Sequence, residues 1–225
     1  MIEGEELVGG QIITSRSIEQ VDSFEDVKPA FLYIPDISGY TQFINNTNIK
    51  YSRKLIHELL EIIVDSNILN LKIAEIQGDA ILFYKLGTPP SISKLESQAK
   101  RTFLSFQESL ERMRTKYDLL RKAPELSLKI IVHFGTISTM VIKNIVKFLG
   151  SDMVLAHRIL KNNIKEKEYL LMTSRYINSQ PPSMVEKSFA WTDLRSGKKT
   201  YDYLGTIHYK YISLAPLKNK SRVVS

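Results

Sequence analysis

The sequence predicts an α+β fold in a single domain, built on a mostly antiparallel sheet of about seven strands with helices packed on it. Three observations carry this. Short runs rich in Ile, Leu, Phe and Tyr alternate with longer stretches of helical apolar spacing. Those runs are bounded by Gly, Pro and Asp turn signals. No period repeats along the 225 residues, and no composition shift marks a break in the body of the chain. With 43% hydrophobic and 24% charged residues the chain can bury one sizeable core. Its 11 Tyr and 9 Phe exclude disorder over most of the length.

The elements follow in order. Residues 1–27 form an acidic lead-in expected to be loosely ordered, residues 28–217 the folded domain and residues 218–225 a basic tail. Ala30 to Ile34 is an unbroken apolar run that reads as a buried strand stopped by Pro35. Asp36 stands just past it, Ser38 and Gly39 supply turn and N-cap chemistry, and Tyr40, Phe43 and Ile44 begin a helical spacing. Leu55, Leu59, Leu60, Ile62, Ile63 and Ile68 mark a second helix to about residue 69. Leu71 to Ile76 and Ala80 to Lys85 read as a hairpin with Gln77-Gly78-Asp79 at its tip. After Gly87-Thr88-Pro89-Pro90, a long helical pattern spans Ser91 to Leu120. Leu128 to Phe134 is expected as a strand, Gly135 as a turn, Ile137 to Ile142 as a strand and Asp152 to Asn162 as a helix. Tyr169 to Thr173 and Tyr209 to Leu214 close the set, with Ser196 to Lys199 as a hairpin turn between Trp191 and Tyr201.

Cysteine is absent, which excludes disulfides, thiolate nucleophiles and zinc ribbons. The four histidines are widely spaced, so a metal would be held by carboxylates. His133, in an apolar strand, reads as a core histidine, and His157 as a surface or interface residue. No stretch approaches the roughly 20 apolar residues of a membrane span, and the N-terminus lacks a signal-peptide pattern; a cytoplasmic location is expected. The net charge of +7 is uneven: residues 1–27 hold seven acids against one base, leaving the remainder at +13. Its bases are scattered, without aromatic-interleaved clusters, so the sequence does not point to polynucleotide binding.

Asp36 and Asp79 each stand at the end of an apolar strand beside a tight turn. They are open to two readings, helix cap and turn residue, or a pair of carboxylates for a magnesium–nucleotide complex. Asp36-Ile37-Ser38-Gly39-Tyr40-Thr41, followed by Glu75-Ile76-Gln77-Gly78-Asp79-Ala80, resembles the class III nucleotidyl cyclase family. Leu128 to Gly135 is similar to its central strand ending in His-x-Gly, and Gly150 followed by Arg158 to its catalytic helix. The resemblance covers roughly residues 30–175 and is nearest an uncharacterised bacterial branch.

The resemblance implies a ferredoxin-like palm and a Mg²⁺- or Mn²⁺-dependent conversion of a nucleoside triphosphate to a cyclic nucleotide and pyrophosphate. The metal ligands would be Asp36, Asp79 and the Ile37 carbonyl. Ser38, Gly39, Tyr40 and Thr41 would meet the triphosphate, and Glu75 and Lys147 the base. Arg158 would stabilise the transition state across a head-to-tail homodimer, with Lys161, three residues on, as an added cation. Two positions depart from the family. Val154 replaces an Asn that orients the ribose, and Lys147 stands where the family has Asp or Cys, so Lys147 and Glu75 could instead pair with each other. The alternative to an enzyme is a degenerate homologue acting as a nucleotide-binding regulatory module.

Overall fold

The computed structural model describes residues 6–8, 11–13, 27–117, 126–143 and 145–221. Within the N-terminal lead-in, β1 (Glu6–Val8) and β2 (Gln11–Ile13) pair antiparallel. The rest of that lead-in, the last residues of the expected 91–120 helix, and residues 222–225 lie outside the described residues. The domain then runs β3 (Lys28–Ser38), α1 (Tyr40–Asn45), α2 (Ile49–Asp65), β4 (Lys72–Gln77), β5 (Ala80–Leu86), α3 (Ile92–Lys116), β6 (Ser127–Ile142) and β7 (Ile145–Leu149). It continues with α4 (Ser151–Ile159), β8 (Tyr169–Thr173), α5 (Ser174–Ile177), α6 (Pro182–Ser188), β9 (Arg195–Tyr201), β10 (Gly205–Ser213) and α7 (Pro216–Ser221).

Eight strands form one sheet in the order β4-β5-β3-β6-β8-β10-β9, with β7 paired to the outer half of β6. Every pairing is antiparallel except β6 with β8. This is the expected α+β architecture with one more strand than the sequence suggested. Strand residues alternate faces. Phe31, Tyr33, Ile37, Phe83, Ile130 and Val132 turn to a core closed by α1, α2, α3, α5, α6 and α7. Leu32, Ile34, Leu82, Ile131 and Leu171 turn to the opposite face, where Met153, Leu155, Ala156 and Ile159 of α4 pack.

The two long helices form for legible reasons. In α3, Ile92, Leu95, Ala99, Phe103, Phe106, Leu110 and Met113 recur at three- and four-residue spacing and are all buried. Its first free N–H, that of Ile92, is capped from a distance by Gln180 Oε1 at 2.9 Å. In α2 the Asn48 side chain accepts from Lys50 N. That helix stops at Asp65 rather than 69, because Ser66 Oγ donates back to Ile63 O and Asn67 brackets Leu71 with two bonds.

Four local expectations are corrected by long-range contacts. Pro35 does not end its strand. Pairing to β6 continues through Pro35↔Ile130, while the ladder to β5 skips Ile34 and Pro35 and resumes at Asp36↔Ala80, so the missing N–H falls where the ladder is open. Gly135 is no turn but the middle of a 16-residue strand. A Cβ there would lie 2.3 Å from Asp152 Cγ, so glycine makes room for a carboxylate. Gly197 lies within β9, and a Cβ would meet the Tyr209 ring at 2.4 Å. The real turn between β9 and β10 is at Asp202 to Leu204, with Tyr203 at φ +66°. The helix expected to reach Asn162 ends at Ile159, because the Asn162 side chain donates to the Ile159 carbonyl and to the Tyr169 hydroxyl.

Asp152, 4% exposed at the start of α4, ties that helix to β6. Oδ1 accepts from His133 Nε2 at 2.9 Å and Oδ2 from Thr136 N at 2.7 Å, and Arg175 Nη1 also donates to Oδ1. His133, with no exposed surface, is fixed through its other nitrogen by Thr173 Oγ1 at 2.8 Å, the expected core histidine. Burial opposes ionisation of Asp152, but the bonds from His133 and the Thr136 N–H and the charge of its neighbours outweigh it, holding its carboxyl well below the usual carboxylate range.

Two outcomes follow. Gly135→Ala is expected to destabilise the fold by about 1–3 kcal/mol in urea unfolding, since the Cβ must displace the Asp152 carboxylate. Asp152→Asn is expected to cost about 2–4 kcal/mol at neutral pH. Because the folded-state pKa is depressed, the contribution of Asp152 is complete above its unfolded value near 4 and fades as pH falls below it. The Asn variant should therefore lose less stability than the wild type below about pH 4, read as unfolding midpoints at stepped pH.

Candidate functional site: a carboxylate pair on the open sheet face

Asp36 lies two residues before the end of β3, opposite Ala80 on β5 and Lys129 on β6. Asp79 sits in the two-residue hairpin between β4 and β5, where Gly78 takes a φ of +62° that a tight connection needs at its first central position. The Ile37 N–H donates to the Asp79 carbonyl at 3.1 Å, locking the hairpin tip to the end of β3. A strand residue directs its N–H and C=O to the same neighbour, so the Ile37 carbonyl faces the hairpin too. The three donors that the sequence singled out thus converge.

The Asp79 carboxyl is pushed up to about 6, by burial first, then by the charge of Asp36 and the hydrogen bond the two share. Two carboxylates this close cannot both ionise without a cation. The donors are all oxygen, which suits a hard divalent ion that takes one or two carboxylates and completes its shell with phosphate and water. Among the described residues no group of three or more His, Asp or Glu stands together, so carboxylate pair plus carbonyl is the donor set. One cation is already present. Lys129 Nζ lies 2.9 Å from Asp36 Oδ2 and donates to the Leu160 carbonyl at 3.2 Å.

Beyond Asp36, Ser38 is half-buried, Gly39 and Thr41 are exposed and Tyr40 is partly covered. Gly39 adopts φ +87° and leads directly into α1, so the chain reverses around an accessible backbone turn. Glu75 reaches the same sheet face through a bulge. Ile73 pairs with Phe83, but Glu75 pairs with Leu82, so Ala74 is an extra residue. Without the bulge Ala74 would pair with Leu82, and Glu75 would oppose Ile81 and point into the helix-covered core. With it, Glu75 shares the face of Leu82, Ala80 and Asp36. His157 Nε2 of α4 approaches Glu75 Oε1 at 2.7 Å, off the axis of a good hydrogen bond. The expected partner Lys147 is elsewhere. It is exposed on β7, while its neighbour Phe148 turns inward onto Tyr84, ring centroids 4.7 Å apart; alternation along the strand sends Lys147 the other way.

On α4, Val154 is 47% exposed, and Arg158, one turn later, is also exposed. The two share the outer face of a helix whose inner face is anchored by Asp152. Lys161 does not share that face, because the helix has already ended; its carbonyl accepts from Lys199 Nζ and the Tyr201 hydroxyl. Sequence reasoning missed Lys129, the Glu75–His157 pair and Asp152. Lys129 left a signal, a lone charge in the apolar run Leu128 to Phe134, and Asp152 left another, an acid in the first turn after Gly150. The bulge at Ala74 left none. No helix among the described residues is long and apolar enough to cross a membrane.

Comparison with known proteins matches residues 56–169 to the family described as "Protein of unknown function (DUF2652)". The uncharacterized protein Rv2561/Rv2562 of Mycobacterium tuberculosis is 29% identical over 119 residues, 52% of this chain and 56% of that protein, so the match spans little more than half of the relative. Among solved structures, the adenylyl cyclase CyaB from P. aeruginosa superposes with a TM-score of 0.57 at 13% identity, over 83% of this chain and 94% of that one. The guanylyl cyclase Cya2 gives 0.56 at 14%, over 83% and 92%. A class III adenylyl cyclase-like ATP-binding protein from Pseudomonas aeruginosa gives 0.55 at 12%, over 72% of this chain and 36% of that one. At such identities the likeness shows the fold, and with the family match it supports one conclusion: the chain belongs to the DUF2652 family and is built on the fold of class III nucleotidyl cyclase domains.

Proposed function

We propose that the protein binds a nucleoside triphosphate together with Mg²⁺ or Mn²⁺ and converts it, slowly, to a cyclic nucleotide and pyrophosphate between two head-to-tail copies of the chain. The convergence of Asp36 and Asp79 on an accessible turn carries this reading. In the reaction the ribose 3′ hydroxyl gives up its proton, its oxygen bonds to the α-phosphorus, and the bond to the bridging oxygen breaks, so that pyrophosphate leaves with the electron pair. A divalent ion held by Asp36, Asp79 and the Ile37 carbonyl would supply charge neutralisation at the phosphates. The backbone turn from Ser38 to Thr41 offers N–H groups to phosphate oxygens. Glu75, turned onto this face by the bulge, presents acceptors to the N–H edge of a purine. Arg158, exposed on the outer face of α4, is available to the site of a second copy, where a guanidinium would meet charge developing on the transferred phosphoryl group.

One observation favours a second reading, a nucleotide-binding regulatory module without turnover. Val154 presents an isopropyl group on the exposed face shared with Arg158, and it cannot hydrogen-bond a ribose. Loss of one such donor lowers rate on the order of 100- to 1000-fold. A structural neighbour described as an ATP-binding, cyclase-like protein is compatible with that outcome.

Purified protein incubated with each of the four nucleoside triphosphates and Mg²⁺ or Mn²⁺ is expected to yield a cyclic monophosphate and pyrophosphate by mass spectrometry. Asp36→Ala should lower the yield about 100-fold or more. No product at a concentration where the dimer is shown to form would select the binding module. Metal-dependent nucleotide binding that survives unchanged in both Asp36→Ala and Asp79→Ala would sink the metal site itself. Val154→Asn is expected to raise turnover by about tenfold or more with an unaltered melting curve, because the side chain is exposed; an unchanged rate would show that this position does not limit the reaction.

A further inference from the structure

Lys129 is out of character with its strand. Leu128, Ile130, Ile131 and Val132 around it have no exposed surface. Its own side chain is only 18% exposed and crosses the sheet face to Asp36, its direct partner in the β3–β6 ladder. The same ammonium donates to the carbonyl of Leu160, the C-cap residue of α4, where helix carbonyls carry partial negative charge. A single cation therefore bridges a site carboxylate and the end of the helix bearing Val154 and Arg158. Asp79, beside Asp36, also feels the charge of Lys129. Tyr169, beside it on β8, is held protonated, pushed up to about 12 by burial first and with help from the charge of Asp36.

We propose that Lys129 is a resident cation of the Asp36–Asp79 site, competing with a divalent metal ion for Asp36 so that free metal binds weakly, and that metal entry detaches the C-terminal end of α4 from the sheet. The inference rests on the reading of Asp36 and Asp79 as metal ligands. Its logic is charge balance. Two carboxylates against one ammonium leave at most one net negative charge; a divalent ion arriving beside a retained ammonium would leave surplus positive charge in a half-buried setting, where charges interact more strongly than in water. The ammonium must yield Asp36, and in moving it gives up Leu160 as well.

The test is a Mn²⁺ titration without nucleotide, followed through the electron paramagnetic resonance signal of the free ion. The Kd of Lys129→Met is expected to fall by about tenfold or more relative to wild type, while Lys129→Arg, which keeps the charge, stays close to wild type. Asp36→Asn added to the Met variant should abolish the gain. If the Met variant does not melt cooperatively, Lys129→Gln takes its place. A neutral variant that binds no more tightly, while Asp36→Asn still weakens wild-type binding, overturns the resident cation and leaves the metal site standing. No Asp36-dependent Mn²⁺ binding in any of these proteins overturns both. Amide hydrogen exchange at residues 159–161 should quicken when wild type is saturated with Mn²⁺, and unchanged exchange refutes the link to α4.

Discussion

Asp152 accepts hydrogen bonds from His133, Thr136 and Arg175, and through them a helix, the central strand and the segment after β8 are held in one arrangement. That arrangement fixes everything the open sheet face can do. The central strand β6 pairs with β3, β7 and β8, and it carries Lys129 near one end and Gly135 beyond its middle. The helix that Asp152 pins directs His157 toward Glu75 and leaves Val154 and Arg158 outward. A buried carboxylate with a full set of donors costs little to keep and much to disturb, because loss of one partner leaves the others unsatisfied in a dry environment.

The candidate site is assembled by a different logic. One acid comes from the end of β3 and the other from the β4–β5 hairpin tip, adjacent in space because β3 and β5 pair side by side, and the bond from Ile37 to the Asp79 carbonyl keeps the two in register. The carboxylates are crowded, so the site is unsettled where the Asp152 network is settled. Crowding of like charge is the usual condition of a place that awaits a counter-charge. The sheet face bearing it is covered by one short helix, whereas six helices pack on the opposite face. That asymmetry leaves the chemistry-bearing side accessible.

Much of this was legible in the sequence wherever a signal is local. The apolar periodicity of α3, the hairpin at Gly78-Asp79 and the turn at Ser38-Gly39 depend on neighbours a few residues apart, and they were placed correctly. Gly135 and Gly197 misled because glycine signals a turn by its backbone freedom, yet both are glycine for lack of space, under a carboxylate and a tyrosine ring that arrive from distant segments. Pro35 misleads because a strand residue need not be bonded on both sides, and its missing N–H falls where the ladder is open. Lys129 and His157 find their partners in distant segments, Asp36 across a strand pair and Glu75 across the sheet face. No spacing rule reaches that far, and only the assembled register does.

The extra residue at Ala74 gives β4 a further property. The face on which Glu75 emerges is decided by the register of the ladder at the bulge, not by the identity of the carboxylate. Pairing Ala74 directly with Leu82 would close the bulge, set Glu75 opposite Ile81 and turn the carboxylate into the helix-packed core without changing a single side chain. Two relatives aligned letter by letter through this strand can therefore present opposite faces at the same column. Divergence of ligand preference on this scaffold can proceed by a slip of strand register as readily as by substitution.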